Sequence, residues 1–294
     1  MTPTRPPTSF DPYQPNPARL HDYFLGGKDR YECDEALAEV LARSTLRPAL
    51  VESRRFTRRA VEHLAERHGV SQFVELGCGL PHDPNIHDIA EQHIDTSRTL
   101  YVDTDILAAA HGRAMLHEAP SRFFTDTDLT DTDAIMRDIT TVMDMTAPLA
   151  VCVSGTAELI PDAPTVLAGL TDRFPVGTWM VFTHVTDEFY PHHIQAAADT
   201  LARVGIPYHP RGRDEIEATL ARYELLAPGL IAPHRWEPNP NRDNGDGNDG
   251  DSYDGDGDGV RRLSALTPRH RAAWDLSAYA AIGQLRPVGV HGGR

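Results

Sequence analysis

Residues 72–81, Gln-Phe-Val-Glu-Leu-Gly-Cys-Gly-Leu-Pro, decide how the rest of the chain folds. The first half of this stretch is mainly apolar and predicts a buried strand. Gly77 and Gly79 follow in a turn, where the missing Cβ permits tight backbone geometry and lets a ligand approach the main chain. Ile86, Ile89 and Ala90 then recur at helical spacing. Strand, glycine turn and helix are typical of the first unit of a nucleotide-binding α/β fold.

The next apolar segment along the chain, residues 99–103, predicts a second strand that ends in a carboxylate. Asp103 follows Gly77 at about the 20-odd residues expected between a glycine turn and a ribose-binding acid. A carboxylate at this point can accept hydrogen bonds from both ribose hydroxyls. Asp105 is a weaker candidate for the same role, and its alternative is a helix cap.

Further strands are predicted at residues 122–125, 148–153 and 179–184, with amphipathic helical segments between some of them. Strands that alternate with helices predict a parallel, doubly wound sheet. Residues 223–226 and 230–231, with a Pro-Gly turn between them, predict a sixth strand.

The segment before the glycine turn is helical in pattern. Residues 16–25 predict a helix that Gly26 and Gly27 end, and Lys28 follows it. Lys28 is the only lysine among 28 basic residues, which favours a functional role for its compact charge. This segment is either a lid over a ligand cleft or a docking helix with a glycine cap.

Residues 49–68 predict a longer amphipathic helix. Its apolar positions include Leu50 and Val61. Its arginines are predicted to lie on the opposite, solvated face of the helix. The arginines of this predicted face are Arg54, Arg55, Arg58 and Arg59.

Composition excludes several classes of protein. A net charge of −15 argues against nucleic acid as the main partner. No apolar run approaches the roughly 18–20 residues of a membrane span, and no apolar segment marks a signal peptide. Cys33, Cys78 and Cys152 lie far apart, which argues against disulfides and against a metal site. We therefore expect a cytoplasmic protein without membrane, nucleic-acid or metal partners.

Three short motifs now carry a family resemblance. They are Asp-Tyr-Phe-Leu-Gly-Gly-Lys-Asp at 22–29, Gly-Leu-Pro at 79–81 and Tyr-Val-Asp-Thr-Asp at 101–105. With the Glu-x-Gly-Cys-Gly turn, they resemble a bacterial family of class I S-adenosylmethionine-dependent methyltransferases that opens with a Tyr-x-Leu-Gly-Gly-Lys-Asp signature. The resemblance covers roughly residues 16–236 and the last predicted strand. It implies a Rossmann-like, doubly wound, mostly parallel seven-stranded sheet with an N-terminal helical extension, closed by an antiparallel strand at residues 277–283.

The same resemblance implies S-adenosylmethionine as the cofactor. Glu75, Gly77 and Gly79 would line its methionine half, and Asp103 would hold the ribose. Asp128 and Leu129 would face the adenine. The remaining candidates for cofactor contacts are Tyr23, Lys28, Cys78, Thr104 and Ser154.

Candidates for the acceptor side are fewer. His184 ends the fifth strand, and as a histidine it titrates near neutrality, so it is the first candidate for a catalytic base. The alternative role for His184 is a purely structural one, in which its ring is hydrogen-bonded within the fold. Glu158 is a second candidate, at a position where the resembled family usually has histidine. Tyr190, His192 and His193 are weaker candidates.

Three functions compete. The leading one is a methyltransferase that acts on a small-molecule acceptor by in-line methyl transfer. A second is a non-catalytic protein that binds S-adenosylmethionine or S-adenosylhomocysteine as a regulator or partner subunit. The third is a nicotinamide-dependent oxidoreductase, but the Gly-x-Gly-x-Pro-His turn lacks the third glycine that such a site needs.

Five segments are predicted along the chain. Residues 1–15 form a mobile lead-in, 16–70 a helical lid and 71–236 the cofactor-binding core. Residues 237–260 form a disordered acidic insert rich in Asp, Gly and Asn. This insert resembles the start of a calcium loop, but Ala265 stands where the closing Glu should be, which favours a surface loop. Residues 261–294 supply a helix and the last strand.

Overall fold

The computed structural model describes residues 11–116, 119–236 and 276–287. The strands of its single sheet are β1 Gln72–Leu76, β2 Arg98–Val102, β3 Arg122–Thr125, β4 Leu149–Val153, β5 Trp179–Val185, β6 Tyr223–Leu225 and β7 Ala278–Leu285. The α-helices are α1 Pro17–Leu25, α2 Glu32–Leu41, α3 Leu46–His68, α4 Ile86–Glu91, α5 Ile106–Leu116, α6 Thr132–Val142, α7 Ala163–Thr171, α8 Pro191–Arg203 and α9 Arg213–Thr219. Two short 3₁₀ turns lie at Ala157–Leu159 and Pro233–Arg235.

The sheet has the order β3-β2-β1-β4-β5-β7-β6. Strands β1 to β5 pair in parallel, and β7 runs antiparallel between β5 and β6. This arrangement confirms the predicted Rossmann-like, mostly parallel seven-stranded sheet. The sixth strand is shorter than predicted, because β6 ends at Leu225 and Ile231 makes only an isolated bridge to Ala280.

Alternate residues of β1 pack on opposite faces of the sheet. Val74 and Leu76 belong to a core with the apolar sides of α6 and α7. Phe73 belongs to a second core with Phe56 of α3 and Ile86 of α4. All of β1 is buried, as expected for a central parallel strand covered on both faces. Each apolar side chain buried in this way contributes about 2 kcal/mol to stability.

The N-terminal helices have a core of their own. Leu20 and Phe24 of α1 pack with Leu41 of α2, Leu50 of α3 and Ile194 of α8. The predicted N-terminal helical extension is therefore packed against the body of the protein. Its helix α1 ends at the position that the glycines predict.

Several predictions concern residues outside the described ranges. The first ten residues of the predicted mobile lead-in, the acidic insert and the predicted C-terminal helix all lie there. Among the helices that are described, none is long and apolar enough to cross a membrane. Within the same described ranges, no group of three or more His, Cys, Asp or Glu residues could hold a metal ion.

Candidate active site

A cavity of about 510 Å³ opens at the carboxyl ends of β1 to β4, where parallel α/β sheets bind ligands. Its volume falls within the range of small-molecule sites. Helix α1 forms the wall opposite the strand ends. Its lining includes Asn16, Arg19, His21, Leu46, Leu50, Gly77, Gly79, Asp103, Thr104, Asp105, Asp128, Leu129, Thr156, Leu159, Leu201, Ile206 and Tyr208.

The glycine turn after β1 forms the floor of this cavity. Gly77 has φ +68° and donates its N–H to the carbonyl oxygen of Val102 at 2.7 Å. A Cβ at Gly77 would lie 2.1 Å from Oγ1 of Thr156, so only glycine fits there. Gly79 has φ +64°, and a Cβ there would meet nothing within 4 Å. The main chain at Gly79 is thus open to a ligand.

Asp103 stands directly after β2 and lines the cavity. Its Oδ2 accepts the N–H of Gly79 at 2.7 Å, and its Oδ1 accepts the N–H of Asp105 at 2.9 Å. Burial raises the pKa of the Asp103 carboxyl, while these two N–H groups act in the opposite direction. Each carboxylate oxygen has a second lone pair that can accept a ligand hydroxyl.

Asp105 is a helix cap, which was the alternative to a ribose-binding role for this residue. Its Oδ1 accepts the N–H of Ala108 at 2.8 Å and so caps the start of α5. Its Oδ2 accepts a hydrogen bond from Nδ2 of Asn16 at 2.8 Å. Asp105 therefore connects the end of β2 to the beginning of α1.

The end of β3 brings two more predicted residues to the cavity, Asp128 and Leu129. Oδ1 of Asp128 accepts both the N–H and the hydroxyl of Thr130 at 2.8 Å, which holds the carboxylate in place. Thr104, after β2, also lines the cavity and is exposed. The structure thus brings six predicted cofactor residues together: Gly77, Gly79, Asp103, Thr104, Asp128 and Leu129.

Glu75 and Cys78 lie behind the glycine turn, beside a separate cavity of about 20 Å³. Glu75 is buried and forms an ion pair with the equally buried Arg54 of α3. The predicted solvated arginine face is therefore wrong at Arg54. Charged groups in a core require a partner, and Glu75 within an apolar strand supplies one.

Arg58 and Arg59 of α3 are also engaged in hydrogen bonds. Arg58 donates to the carbonyl oxygens of His82 and Asp83, and Arg59 donates to that of Pro233 at 2.7 Å. A sequence signal for Arg54 did exist. It falls four residues after Leu50 and seven before Val61, within the apolar stripe of the helix.

Residues 22–29 comprise the last turn of α1 and the four residues after it, and none of them lines the cavity. The carboxylate of Asp22 accepts the N–H of Asp29 at 3.1 Å and packs so closely on Gly27 that a Cβ would not fit. The carbonyl of Leu25 is 2.7 Å from Nε2 of His82, which follows the Gly-Leu-Pro motif. Two motifs that carry the resemblance therefore contact each other.

Like Glu75 and Cys78, three further predicted cofactor residues lie outside the cavity lining. The ring of Tyr23 packs beneath the guanidinium of Arg30 at 5.0 Å. Lys28 is exposed after the glycine cap. Ser154 is buried and accepts a hydrogen bond from the hydroxyl of Thr183 at 3.1 Å. Their predicted contacts with the cofactor stay predictions, which their positions outside the cavity lining do not support.

Helix α1 is attached through buried polar side chains. Arg19 and Asp34 of α2 form an ion pair at 2.7 Å with 3% and 0% of their side chains exposed. Oδ1 of Asp34 also accepts the N–H of Asn16 at 3.0 Å. The side chain of Asn16 caps α1 by accepting the N–H of Ala18 at 2.8 Å. The contacts with Asp34 fix the start of α1 to α2, and the bond from Asn16 to Asp105 connects it to the end of β2.

His184 and Glu158, the predicted acceptor-side residues, are both buried and do not line the cavity. Nδ1 of His184 is 2.7 Å from the carbonyl oxygen of Val185, and its Nε2 is 2.9 Å from Nη1 of Arg211. Burial lowers the pKa of His184. Both ring nitrogens are engaged, which matches the alternative of a structural histidine and does not support a base.

Glu158 helps to hold the turn after β4. Its Oε1 accepts the N–H of Val185 at 2.6 Å. Arg211 donates to the carbonyl oxygens of Ala157, Ile160 and Pro161 at 2.8–3.0 Å. Sequence reasoning missed this arginine, because nothing in its local pattern distinguishes a buried arginine from a surface one.

Sequence reasoning also missed His21 of α1 and Tyr208, both of which line the cavity. His21 lies one position after Leu20 on the buried side of α1. Tyr208 follows α8 in a segment without periodicity. No motif marks either residue, and only the packing of α1 and α8 around the strand ends brings them to the site.

Comparison with known proteins agrees with this geometry. The model of the S-adenosyl methyltransferase family matches residues 3–283. A DUF574 family protein from Streptomyces avermitilis is 26% identical, with 93% of this chain and 98% of that chain covered and a TM-score of 0.77. A predicted methyltransferase from Thermobifida fusca is 28% identical, with coverages of 97% and 100% and a TM-score of 0.78. No curated protein matches the sequence.

The family match spans nearly the whole chain, and the sheet has the strand order of a class I methyltransferase. The cofactor is S-adenosylmethionine rather than a nicotinamide. The chain therefore belongs to the S-adenosyl methyltransferase family and is an S-adenosylmethionine-dependent methyltransferase of class I.

Proposed function

We propose that this enzyme methylates a small-molecule acceptor. The observation that carries the proposal is one cavity with two chemically different ends. The polar end is lined by Gly77, Gly79, Asp103, Thr104, Asp105, Asp128 and Leu129. The apolar end is lined by Leu46, Leu50, Leu159, Leu201 and Ile206. If the cofactor binds at the polar end, the apolar end is left free, and the space that remains there suits a small acceptor.

The polar end fits S-adenosylmethionine. The open space above Gly79 lets the methionine part approach the main chain. The second lone pairs of the Asp103 oxygens can accept the ribose hydroxyls. The family resemblance assigns Asp128 and Leu129 to the adenine, and both line the same cavity as Gly79 and Asp103. When bound, the cofactor supplies a methyl group that is already activated on a sulfonium sulfur, so this chain contributes mainly orientation and exclusion of water.

The charges of the lining support the same placement. Asp103, Asp105 and Asp128 give the polar end a negative character that suits a cationic sulfonium. Arg19, a basic lining residue, is neutralised by Asp34. Glu75 and Arg54 lie beneath the turn, where we infer that they support the floor rather than contact the cofactor directly.

The position of α1 supports a small acceptor. Because α1 covers the strand ends, the cavity offers limited access to a folded protein or a nucleic-acid duplex. We keep the predictions of no nucleic-acid partner, which the net charge of −15 favours, and of no membrane partner. We also keep the prediction of a cytoplasmic location and of in-line transfer.

Calorimetric titration with S-adenosylhomocysteine, with NAD as the parallel ligand, tests the cofactor site. We expect wild-type protein to bind S-adenosylhomocysteine and not NAD. Asp103→Ala should weaken that binding by about 10- to 100-fold, because hydrogen bonds to a charged group contribute about 1.5–3 kcal/mol. Methylation of candidate acceptors is then measured as release of S-adenosylhomocysteine.

Asp126→Ala is the matched control. Asp126 also follows β3, but its side chain is 66% exposed, where it pairs with Arg113, and it does not line the cavity. Equal affinities of wild type and Asp103→Ala would remove Asp103 from the site. Binding of NAD alone would overturn the proposed cofactor placement.

A further inference from the structure

The apolar end of the cavity is an uncharged chamber. Its leucine and isoleucine walls come from α3, the 3₁₀ turn after β4, and α8 with the segment that follows it. Leu46, Leu50, Leu201 and Ile206 all belong to the core that α1, α3 and α8 share. The acidic and basic side chains among the described lining residues, Asp11, Arg19, Asp103, Asp105 and Asp128, are not members of that core. A charged acceptor would therefore lose its hydration among these apolar walls without an ion pair to any of the wall side chains.

Two polar side chains stand among these apolar walls. His21 lies against Gly155 and Leu50, since a Cβ at Gly155 would be 3.3 Å from Cε1 of His21 and 3.5 Å from Cδ2 of Leu50. Tyr208 packs on the same core cluster as Leu159. Both residues line the cavity, one from α1 and the other from the chain after α8.

The polar atoms of these two side chains have no protein partner. Nε2 of His21 and Oη of Tyr208 are buried, and neither makes a hydrogen bond to any of the described residues. Buried polar atoms nearly always have a partner, and exceptions require an explanation. A ligand that enters the chamber and hydrogen-bonds with both atoms would supply it.

The charge states of both groups narrow the chemistry of that ligand. Burial lowers the pKa of His21 to about 4, with the charges of Arg54 and His82 acting in the same direction. Burial raises the pKa of Tyr208 well above its usual value, and the nearby Glu158 adds to this. Both side chains are therefore neutral at pH 7.

A neutral imidazole and a neutral phenol can each donate or accept a hydrogen bond. A hydroxyl group is also both a donor and an acceptor, so one hydroxyl can satisfy two such partners. A carboxylate offers only acceptors and an ammonium only donors, and each carries a charge that the chamber does not compensate.

We propose that the apolar end is the acceptor site, that it takes an uncharged small molecule with an apolar body and a hydroxyl group, and that His21 and Tyr208 determine this specificity by hydrogen bonding to the hydroxyl. The proposal rests on the proposed function, because it assigns the acceptor to the end that the cofactor leaves open. His21 and Tyr208 are specificity-determining residues in it.

The test uses full-length protein saturated with S-adenosylhomocysteine and three matched probes, namely 4-ethylphenol, ethylbenzene and 4-ethylbenzoate. Binding is followed by calorimetry. We expect 4-ethylphenol to bind at least about 10-fold more tightly than either of the other probes, since ethylbenzene lacks the hydroxyl and 4-ethylbenzoate is charged. Tyr208→Phe and His21→Asn should each remove most of that preference.

Two exposed residues supply matched controls. Tyr13→Phe changes a tyrosine that is 84% exposed, and His93→Asn changes an exposed histidine; neither residue lines the cavity. Both controls should keep the wild-type preference for 4-ethylphenol. The affinity for S-adenosylhomocysteine and the melting temperature of every variant show whether a lost preference comes from unfolding.

The outcomes separate the two proposals. If S-adenosylhomocysteine binds but 4-ethylphenol does not, or binds no better than ethylbenzene, the acceptor inference is overturned and the cofactor assignment stands. If 4-ethylphenol binds preferentially and both variants keep the preference, His21 and Tyr208 are not its cause, and the inference also fails. If wild-type protein does not bind S-adenosylhomocysteine, the proposed function fails first.

Discussion

The cavity has two opposite walls that are held in different ways. The sheet wall consists of Gly77, Gly79 and Asp103, and main-chain N–H groups position it, such as that of Gly77 bonded to Val102 at 2.7 Å. The helix wall consists of α1, and side chains attach it. Asn16 bonds to Asp105, and the Asp34 carboxylate holds Arg19.

Because one wall is held by main-chain groups and the other by side chains, the two walls should be sensitive to different mutations. Main-chain hydrogen bonds survive most substitutions, so the sheet wall depends on backbone conformation and therefore on glycine. The helix wall depends on a small number of buried polar side chains. Removing one of them leaves its partner unpaired, which costs more than the lost contact itself.

The largest effect should come from Asp34, the centre of the helix wall. Asp34→Ala leaves the Arg19 guanidinium buried without its counterion and removes acceptors from the N–H groups of Asn16 and Tyr31. We expect a loss of about 3–5 kcal/mol in the free energy of unfolding, measured by urea denaturation.

Glu35→Ala is the control for Asp34, because it is the next residue and also pairs with an arginine. The Glu35 side chain is 46% exposed and its partner Arg30 is 29% exposed. A pair of this kind contributes less than about 1 kcal/mol. If both variants lose the same stability, the helix wall does not depend on its buried pair.

The next effect should come from Gly77 on the sheet wall. Gly77→Ala would place a Cβ 2.1 Å from Thr156 Oγ1 at a φ of +68°. Overpacking and left-handed strain together predict a loss of about 3 kcal/mol. Gly205→Ala shares the positive φ, at +81°, but its Cβ would meet nothing within 4 Å. That control should lose about 1 kcal/mol in the same denaturation measurement.

Equal losses at Gly77 and Gly205 would contradict the close contact with Thr156. A larger loss at Gly77, together with an intact melting transition at Gly205, would show that the floor of the cavity tolerates no side chain at Gly77. The sheet wall would then depend most on Gly77, and the helix wall on the Asp34 carboxylate.

The smallest effect is a pH dependence that differs between the walls. His21 of the helix wall has a pKa of about 4 when folded and about 6.5 when unfolded. The unfolded chain therefore binds more protons between these values, and stability falls as the pH drops below 6.5. At pH 5 the loss attributable to His21 is about 2 kcal/mol. Asp103 of the sheet wall has a raised pKa, so its contribution changes in the opposite direction.

Urea unfolding of wild type and His21→Asn at pH 7 and pH 5 measures this contribution. The variant should lose less stability on acidification than the wild type does. His93→Asn, at an exposed position, should behave like the wild type. An unchanged pH profile in His21→Asn would show that His21 is not buried in its neutral form.

The sheet could be predicted from the sequence because its signals are local. Apolar strands, the turn at Gly77 and the carboxylate at Asp103 each follow from neighbouring residues, and parallel strands bring their ends to one edge. The antiparallel strand β7 was predicted only through the family resemblance, because the sequence of a single short strand does not indicate which strand it pairs with.

The helix wall and the acceptor side could not be predicted in the same way. The contact of Asn16 with Asp105 joins residues 89 positions apart. His184 is of a residue type that often serves as a base, but both of its ring nitrogens are engaged, by Arg211 and by the Val185 carbonyl. No local sequence pattern predicts either contact. Arg54 was predictable in principle from its place in an apolar stripe.

The position of β7 has a consequence for synthesis of the protein. Strand β5 pairs with β7 along its whole length, from Trp179 to Val185. β6 joins the sheet only through β7. On the ribosome, the nascent chain therefore carries an unpaired edge on β5 until residues 278–285 emerge. Such an edge is a template for pairing with other chains. A chain stopped before β7 would therefore keep that edge exposed and would be a substrate for chaperones and proteases rather than a smaller enzyme.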